Sequence, residues 1–322
     1  MSEEKYGFAL IGAGFAGELH AKALRSLLPH EPLYVLSRQG KTAHALAEAT
    51  KAIAVDTFEC FPQTLRGAII ATPPQTYRPI VEKCIARGWH LLIEKPLALS
   101  SSEGESFVKK AQENDLKIVV GCVLRSNPAH QVMKQLLLSG VMGKLLSWSD
   151  ERLAKRLSAE RQWWNGVSTG LLGFQGTHSL DLLLWTLGRG CSIQKASFGD
   201  KVLATGWQDF SLEMTHKKCK KIHIRHSLSS DVLRNKLTIT GAKGELTVTD
   251  FCKVSLNAKA VYEGKDFLAT AYREQLSKFI SVTRGHNEVD LCSGKEGISS
   301  LRLIDAAIAS YKGKYNEKCQ YC

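Results

Sequence analysis

The clearest chemical pattern lies near the start of the chain, where Gly12-Ala13-Gly14-Phe15-Ala16-Gly17 follows one apolar run and opens a helical one. In that setting a G-x-G-x-x-G spacing suits a dinucleotide. Gly12 permits the tight turn, Gly14 lets the backbone approach a pyrophosphate, and Gly17 lets helix and strand pack closely. The first helical turn, Phe15 and Ala16 included, offers unpaired N–H groups and partial positive charge to phosphates. The competing reading is a glycine-rich turn without a ligand. The next apolar run ends at Ser37-Arg38, where an acidic residue would bind the adenosine ribose of NAD and this chain has none. Ser37 is placed to hydrogen-bond a 2′-phosphate, Arg38 to pair with it, and Lys41 to add charge. A charge-assisted hydrogen bond contributes about 1.5–3 kcal/mol, so NADP(H) is expected over NAD(H). The alternative is a solvated Arg38 and acceptance of both cofactors. Two more loops end apolar runs, Thr72-Pro73-Pro74 and Glu94-Lys95-Pro96. Both belong on the carboxyl edge of a sheet, where open α/β folds bind ligands. A lysine held between an acid and a proline is positioned rather than free.

The elements that must position these loops follow from periodicity. Short apolar runs at 6–11, 33–37, 68–71, 91–93 and 118–120 alternate with helical patterns at 15–28, 42–50, 77–87 and 103–114. Strand-helix repetition of this kind implies a parallel sheet with right-handed crossovers, buried on both faces. All eight prolines lie at or before Pro128, and the pattern changes near there. A helix is expected over 128–139, then longer alternating runs at 197–202, 210–214, 222–228, 236–240 and 245–249, then closing helices at 271–283 and 297–311. The fold class expected is α/β: an N-terminal Rossmann dinucleotide-binding domain over 1–123, and a C-terminal α+β domain over 124–322 with a large open, mostly antiparallel sheet. No low-complexity linker separates them, so a tight hinge is expected at the boundary.

Glu94-Lys95-Pro96 after this nucleotide-binding pattern resembles the Gfo/Idh/MocA oxidoreductases. The resemblance continues through 120–128, with Arg125 and Asn127-Pro128, and through Ser139-Gly140-Val141-Met142-Gly143. It is recovered at Gly176-Thr177-His178-Ser179-Leu180-Asp181 and Leu187-Gly188, and so reaches to about residue 190. It implies a sugar, inositol or related hydroxyl or carbonyl substrate that exchanges hydride with nicotinamide C4. It implies Lys95 as the main acid/base group and His178 as the second proton-transfer group. A free lysine titrates near 10.4 and a base working at neutral pH near 7–8, a gap that burial beside an oxidised nicotinamide would narrow. Glu94 would orient Lys95 or meet the nicotinamide ribose. Asp181, three residues after His178, would orient the imidazole or serve the helix surface. A homodimer or homotetramer is implied as well.

The chain departs from the family pattern at Phe174, where an acidic residue is usual four before the histidine, and at Tyr77, where histidine is frequent. Phenylalanine cannot exchange protons, which keeps open a non-catalytic nucleotide-sensing regulator on the same fold. A nucleotide-dependent glycosidase and a reductase of other double bonds are the enzymatic alternatives. Trp163 and Trp164 are candidates to line the site or simply to pack. Arg125 is a brace for the hinge or cofactor, or a structural ion pair.

Composition narrows the remaining classes. The 322 residues are 44% apolar and 23% charged, ordinary for a globular chain. No apolar run approaches the ~20 residues of a membrane span, and the start is not an export signal, so a cytoplasmic protein without a membrane partner is expected. Nine widely spaced cysteines read as reduced thiols, and Cys319 and Cys322 form a lone C-x-x-C without a histidine. No metal grouping is expected from the histidines at 216, 223, 226 and 286. The net charge of +12 raises nucleic acid, but the densest basic stretch, 217–221, reads as a hairpin tip with no accompanying nucleic-acid motif. A small-molecule sugar or polyol-like partner is expected instead.

Overall fold

A computed structural model of the protein describes residues 7–155, 167, 169–199, 207–265, 267–286 and 290–311. The chain divides into two compact units, 1–98 with 102–126 and 268–297, and 99–101 with 127–267 and 298–322.

The first unit carries a seven-stranded sheet. Its strands are β1 (Phe8–Ile11), β2 (Leu33–Leu36), β3 (Ile53–Val55), β4 (Gly67–Ile70), β5 (His90–Ile93), β6 (Ile118–Val120) and β15 (Cys292–Ser293). The order is β15-β6-β5-β4-β1-β2-β3, parallel throughout except for β15, which pairs antiparallel with β6. This is the Rossmann order with one added edge strand. The helices are α1 (Phe15–Leu27), α2 (Gly40–Thr50), α3 (Tyr77–Ala86) and α4 (Ser101–Gln112). Every residue of β1, β4 and β6 is buried, as a sheet covered on both faces requires. β3 was not anticipated; its exposed and half-buried edge residues carry too weak an apolar run.

Helix α7 (Phe267–Thr283) was expected inside the second domain. Residues 268–297 instead group with the first unit. The reason is burial: Ala271, Tyr272, Leu276 and Phe279 pack in one core with Phe8, Leu10, Ile69 and Leu92. Removing one phenylalanine of this kind from water contributes on the order of 3 kcal/mol, more than any local preference at the boundary.

The second unit holds α5 (Pro128–Leu138), α6 (Thr177–Leu187) and an eight-stranded sheet, and α8 (Gly294–Tyr311) closes the chain. The strands are β7 (Leu145–Leu153), β8 (Ser192–Phe198), β9 (Asp209–His216), β10 (Cys219–Ser227), β11 (Arg234–Gly241), β12 (Gly244–Thr249), β13 (Lys253–Leu256) and β14 (Lys259–Glu263). Their order is β14-β13-β12-β11-β7-β10-β9-β8, antiparallel except where β7 pairs parallel with β10. Alternation in β9, with Phe210, Leu212 and Met214 buried, marks a sheet with one covered face. β8 begins five residues before the expected run at 197, and part of that run lies outside the described residues. Of the stretch 217–221 expected at a hairpin tip, the lysines at 217–218 occupy the turn between β9 and β10, and Lys220 and Lys221 already lie in β10. Asn127 caps α5, its side-chain oxygen accepting from the Ala129 N–H at 2.9 Å, with Pro128 in the first turn.

Candidate functional site

In the first unit a cavity of about 730 Å³ opens at the carboxyl ends of β1, β2 and β4. It falls within the size range of ligand pockets and at the edge where such sheets bind ligands. Gly12, Gly14, Ser37, Arg38, Thr72 and Pro73 all line it, as read from the sequence. Gly12 has φ +112°, and a Cβ there would run into the Ala71 carbonyl. A Cβ on Gly17 would run into the Gly12 carbonyl. Gly14 differs, because nothing lies within 4 Å of where its Cβ would stand. The protein's own packing therefore does not require glycine at 14. The bare position starts α1 and leaves its N-terminal backbone open to a phosphate, so the residues present fit a dinucleotide.

Ser37 and Arg38 differ in readiness. The Thr42 hydroxyl donates to the Gln39 carbonyl at 2.7 Å, so the Ser37 hydroxyl is the donor in its 2.9 Å bond to Thr42. Ser37 then presents lone pairs and would have to turn before donating to a phosphate. Arg38 is exposed and carries no hydrogen bond or ion pair among the described residues. Asp56, just past β3, shares the cavity wall, with Oδ1 3.9 Å from His44 Nε2. Sequence reasoning missed it, because β3 itself carried no signal.

Glu94 and Lys95 leave the end of β5, and neither lines this cavity; nor do Phe15, Ala16 and Gly17. Glu94 is only 6% exposed. Its Oε1 lies 2.9 Å from His20 Nε2 and accepts from the Tyr272 hydroxyl at 3.3 Å. Its Oε2 accepts from the Lys95 backbone N–H at 3.2 Å. The Tyr77 hydroxyl donates to the Glu94 carbonyl at 3.0 Å. Burial first, then the neighbouring carboxylate, pushes both phenols up, so each remains a donor. Glu94 thus anchors the Lys95 backbone while being anchored from α1 and α7. His20 sits three residues after Gly17, a same-face spacing that could have flagged it. Tyr272, 178 residues away in sequence, had no local signal. Arg125 is buried, with Nη1 2.7 Å from Glu296 Oε1 and 3.2 Å from the Leu291 carbonyl. Burial raises the Glu296 carboxyl, but the Arg125 guanidinium and its hydrogen bonds hold it below the ordinary value.

In the second unit α6 carries His178, half-buried, and Asp181, 1% exposed. A π-helical turn, Leu172–Gly176, precedes α6 and bears Phe174 and Gln175, both half-buried. Trp163 and Trp164 lie outside the described residues.

The model for an oxidoreductase family with an NAD-binding Rossmann fold, GFO_IDH_MocA, matches residues 6–122, the segment that forms this sheet and loop. Over those residues the chain is similar to the Gfo/Idh/MocA oxidoreductases. It is similar to an inositol 2-dehydrogenase of Rhizobium meliloti (strain 1021), 23% identical over 95% of this chain and 97% of the relative. It is also similar to a 4-carboxy-2-hydroxymuconate-6-semialdehyde dehydrogenase of Sphingobium sp., 28% identical over 56% of this chain and 59% of that relative's length. A solved oxidoreductase from Thermotoga maritima superposes with TM-score 0.84 at 21% identity, over 95% of this chain and 96% of the other. At that identity the likeness is one of fold, and it covers both sheets. Among the described residues no helix is long and apolar enough to cross a membrane.

Proposed function

We propose that this protein is a member of the Gfo/Idh/MocA family and an NADP(H)-preferring oxidoreductase acting on a sugar, inositol or related hydroxyl or carbonyl compound. The single observation that carries the reading is the cavity in which the bare Gly14, at the start of α1, and the unpartnered Arg38 share one wall. Gly12, Gly14 and the first turn of α1 would hold the pyrophosphate, Arg38 the 2′-phosphate, and Thr72 and Pro73 the adjoining part of the dinucleotide. Relatives named for inositol support the substrate class. Asp56 on the same wall favours a second reading, NAD(H) with its ribose hydroxyls on that carboxylate.

Oxidation of an alcohol removes a hydride from carbon and a proton from oxygen. The bound nicotinamide supplies the hydride acceptor, and the donor in the reverse direction. Lys95 takes the hydroxyl proton on its unprotonated amine and returns it when a carbonyl is reduced. His178 serves as the second proton-transfer or hydrogen-bonding group, with Asp181 orienting it. Glu94, through the Lys95 backbone N–H, positions that residue. The homodimer or homotetramer implied by the resemblance belongs to the same proposal.

The test is a fluorescence titration of nucleotide-free protein with NADPH and NADH, followed by turnover of a sugar and inositol panel. NADPH is expected to bind at least about tenfold tighter. Lys95→Ala is expected to lose about 10²–10⁴-fold in turnover with nucleotide binding intact. Binding of neither nucleotide removes the oxidoreductase reading, and an NADH preference moves the cavity to the Asp56 alternative. Tight binding with no reaction on the panel favours the nucleotide-sensing regulator that Phe174 keeps open.

A further inference from the structure

His20 takes no part in the proton transfers proposed above, yet its imidazole is fully buried in the second turn of α1. A histidine in such a place needs a reason. Desolvating a polar ring destabilises a fold unless its nitrogens are paired, and an apolar side chain avoids that loss. One nitrogen is paired and the other is not: Nε2 lies 2.9 Å from Glu94 Oε1, while Nδ1 has no hydrogen-bond partner. The contact that Nε2 makes is therefore what a leucine at this position could not supply.

That contact completes a cage around Glu94. The Tyr272 hydroxyl reaches the same oxygen at 3.3 Å, and its ring meets the His20 ring edge to face, with centroids 4.8 Å apart at 75°. The second oxygen accepts from the Lys95 N–H at 3.2 Å, and the Glu94 carbonyl accepts from the Tyr77 hydroxyl at 3.0 Å. Gly121 closes a further side, where a Cβ would stand 3.0 Å from both Cα and Cδ of Glu94. The Glu94 main chain is tied into the sheet as well, its N–H donating to the Ile70 carbonyl at 2.9 Å. A side chain so confined keeps one orientation. What it holds is the backbone of the residue that carries the proposed acid/base amine.

Stability alone does not call for such a cage, since well-packed apolar residues often hold a fold as firmly as a buried polar pair. What the cage supplies is fixed geometry, and a shift of about 1 Å at a reacting group can lower turnover about a hundredfold. α1 also starts at the glycine turn, so the His20 ring stands on the helix that would hold the pyrophosphate. We infer that His20 is a positioning residue of the reaction: through Glu94 it ties the Lys95 backbone to the nucleotide-holding helix, and so sets where the Lys95 amine meets the substrate. This role rests on the oxidoreductase reading.

The test pairs amide hydrogen exchange with kinetics on the full chain. In His20→Leu the Lys95 amide should exchange at least about tenfold faster than in the native protein, while the amides of 91–93 keep their rates. Turnover, read as kcat, should fall about ten- to a hundredfold, with NADPH affinity within about twofold. His20→Gln, which returns an N–H donor near Nε2, should restore most of both. A merely structural role predicts faster exchange throughout β5 and α1, a lower unfolding temperature and no such rescue. Should His20→Leu fail to fold, Tyr272→Phe removes the other side-chain donor at nearly constant volume and should speed the Lys95 amide at least about threefold, with β5 again unchanged. Unchanged Lys95 exchange, native kcat in His20→Leu, or a loss that His20→Gln does not restore would overturn the inference. Exchange is read without nucleotide or substrate, so a selective change at Lys95 in a protein that turns over nothing would remove the oxidoreductase reading and leave the His20 clamp standing.

Discussion

Glu94 in the first unit and Asp150 in the second are both buried carboxylates, and they are held in different ways. Glu94, at the end of β5, is held by His20, Tyr272 and a backbone N–H, without a guanidinium. Asp150, on β7, is held by the Arg152 fork. The first arrangement fixes a loop by hydrogen bonds and places the backbone of Lys95. The second neutralises a charge inside a sheet, beside a histidine that bonds Ser179. One is a positioning device, and the other is a structural staple.

The largest effect should come from breaking the staple. Arg152→Met leaves Asp150 buried without its counter-charge and should destabilise the protein by about 3–5 kcal/mol in chemical denaturation. Glu94→Gln keeps the hydrogen-bonding shape and should lose only about 1 kcal/mol. Equal losses would erase the distinction between the two clusters. Next come the glycines of the first unit. Gly14→Val should weaken nucleotide binding at least a hundredfold, about 2.7 kcal/mol, and leave the unfolding temperature unchanged, since open space surrounds it. Gly17→Val should instead lower the unfolding temperature, since its side chain meets the Gly12 carbonyl. Thermal unfolding and nucleotide titration of both variants separate these outcomes.

Acid should single out the second unit. His130 and His226 are both lowered to about 3, chiefly by burial and then by Arg152. The unfolded chain takes up these protons near pH 6.5 while the folded one does not. Stability is therefore fully present above about 6.5 and is lost as pH falls toward 3, by about 2 kcal/mol per histidine between pH 7 and 5. Calorimetry at the two pH values checks this, and His226→Asn should halve the loss. Arg38→Ala is expected to weaken NADPH about tenfold and to leave NADH within twofold. A parallel loss for both nucleotides would show that Arg38 does not read the 2′-phosphate.

Legibility in the sequence followed the range of the interactions. That Gly12, Gly14, Arg38 and Thr72 line one cavity was readable because each lies in the loop at the end of one strand. The Glu94 partners were not, because His20 and Tyr272 reach it from α1 and α7. Arg152 and His226 carried no local signal either, since their meaning depends on which strand lies beside β7. β13 and β14 were missed for a related reason: they are short strands at one end of the sheet, β14 forming its edge, with only partial burial.

What the sequence determined by itself was the alternation of strands and helices in the first third, the change to an alternating sheet afterwards, and the phosphate-type turn at Gly12. Each follows from a period or a steric demand within a few residues. Only the tertiary structure decided that residues 268–297 join the first unit, that β7 pairs parallel with β10, and that the Asp150 cluster closes around a neutral imidazole. Those outcomes depend on burial and pairing between residues far apart in the chain. No local pattern encodes such partners, because the free energy that selects them appears only when the distant surfaces meet.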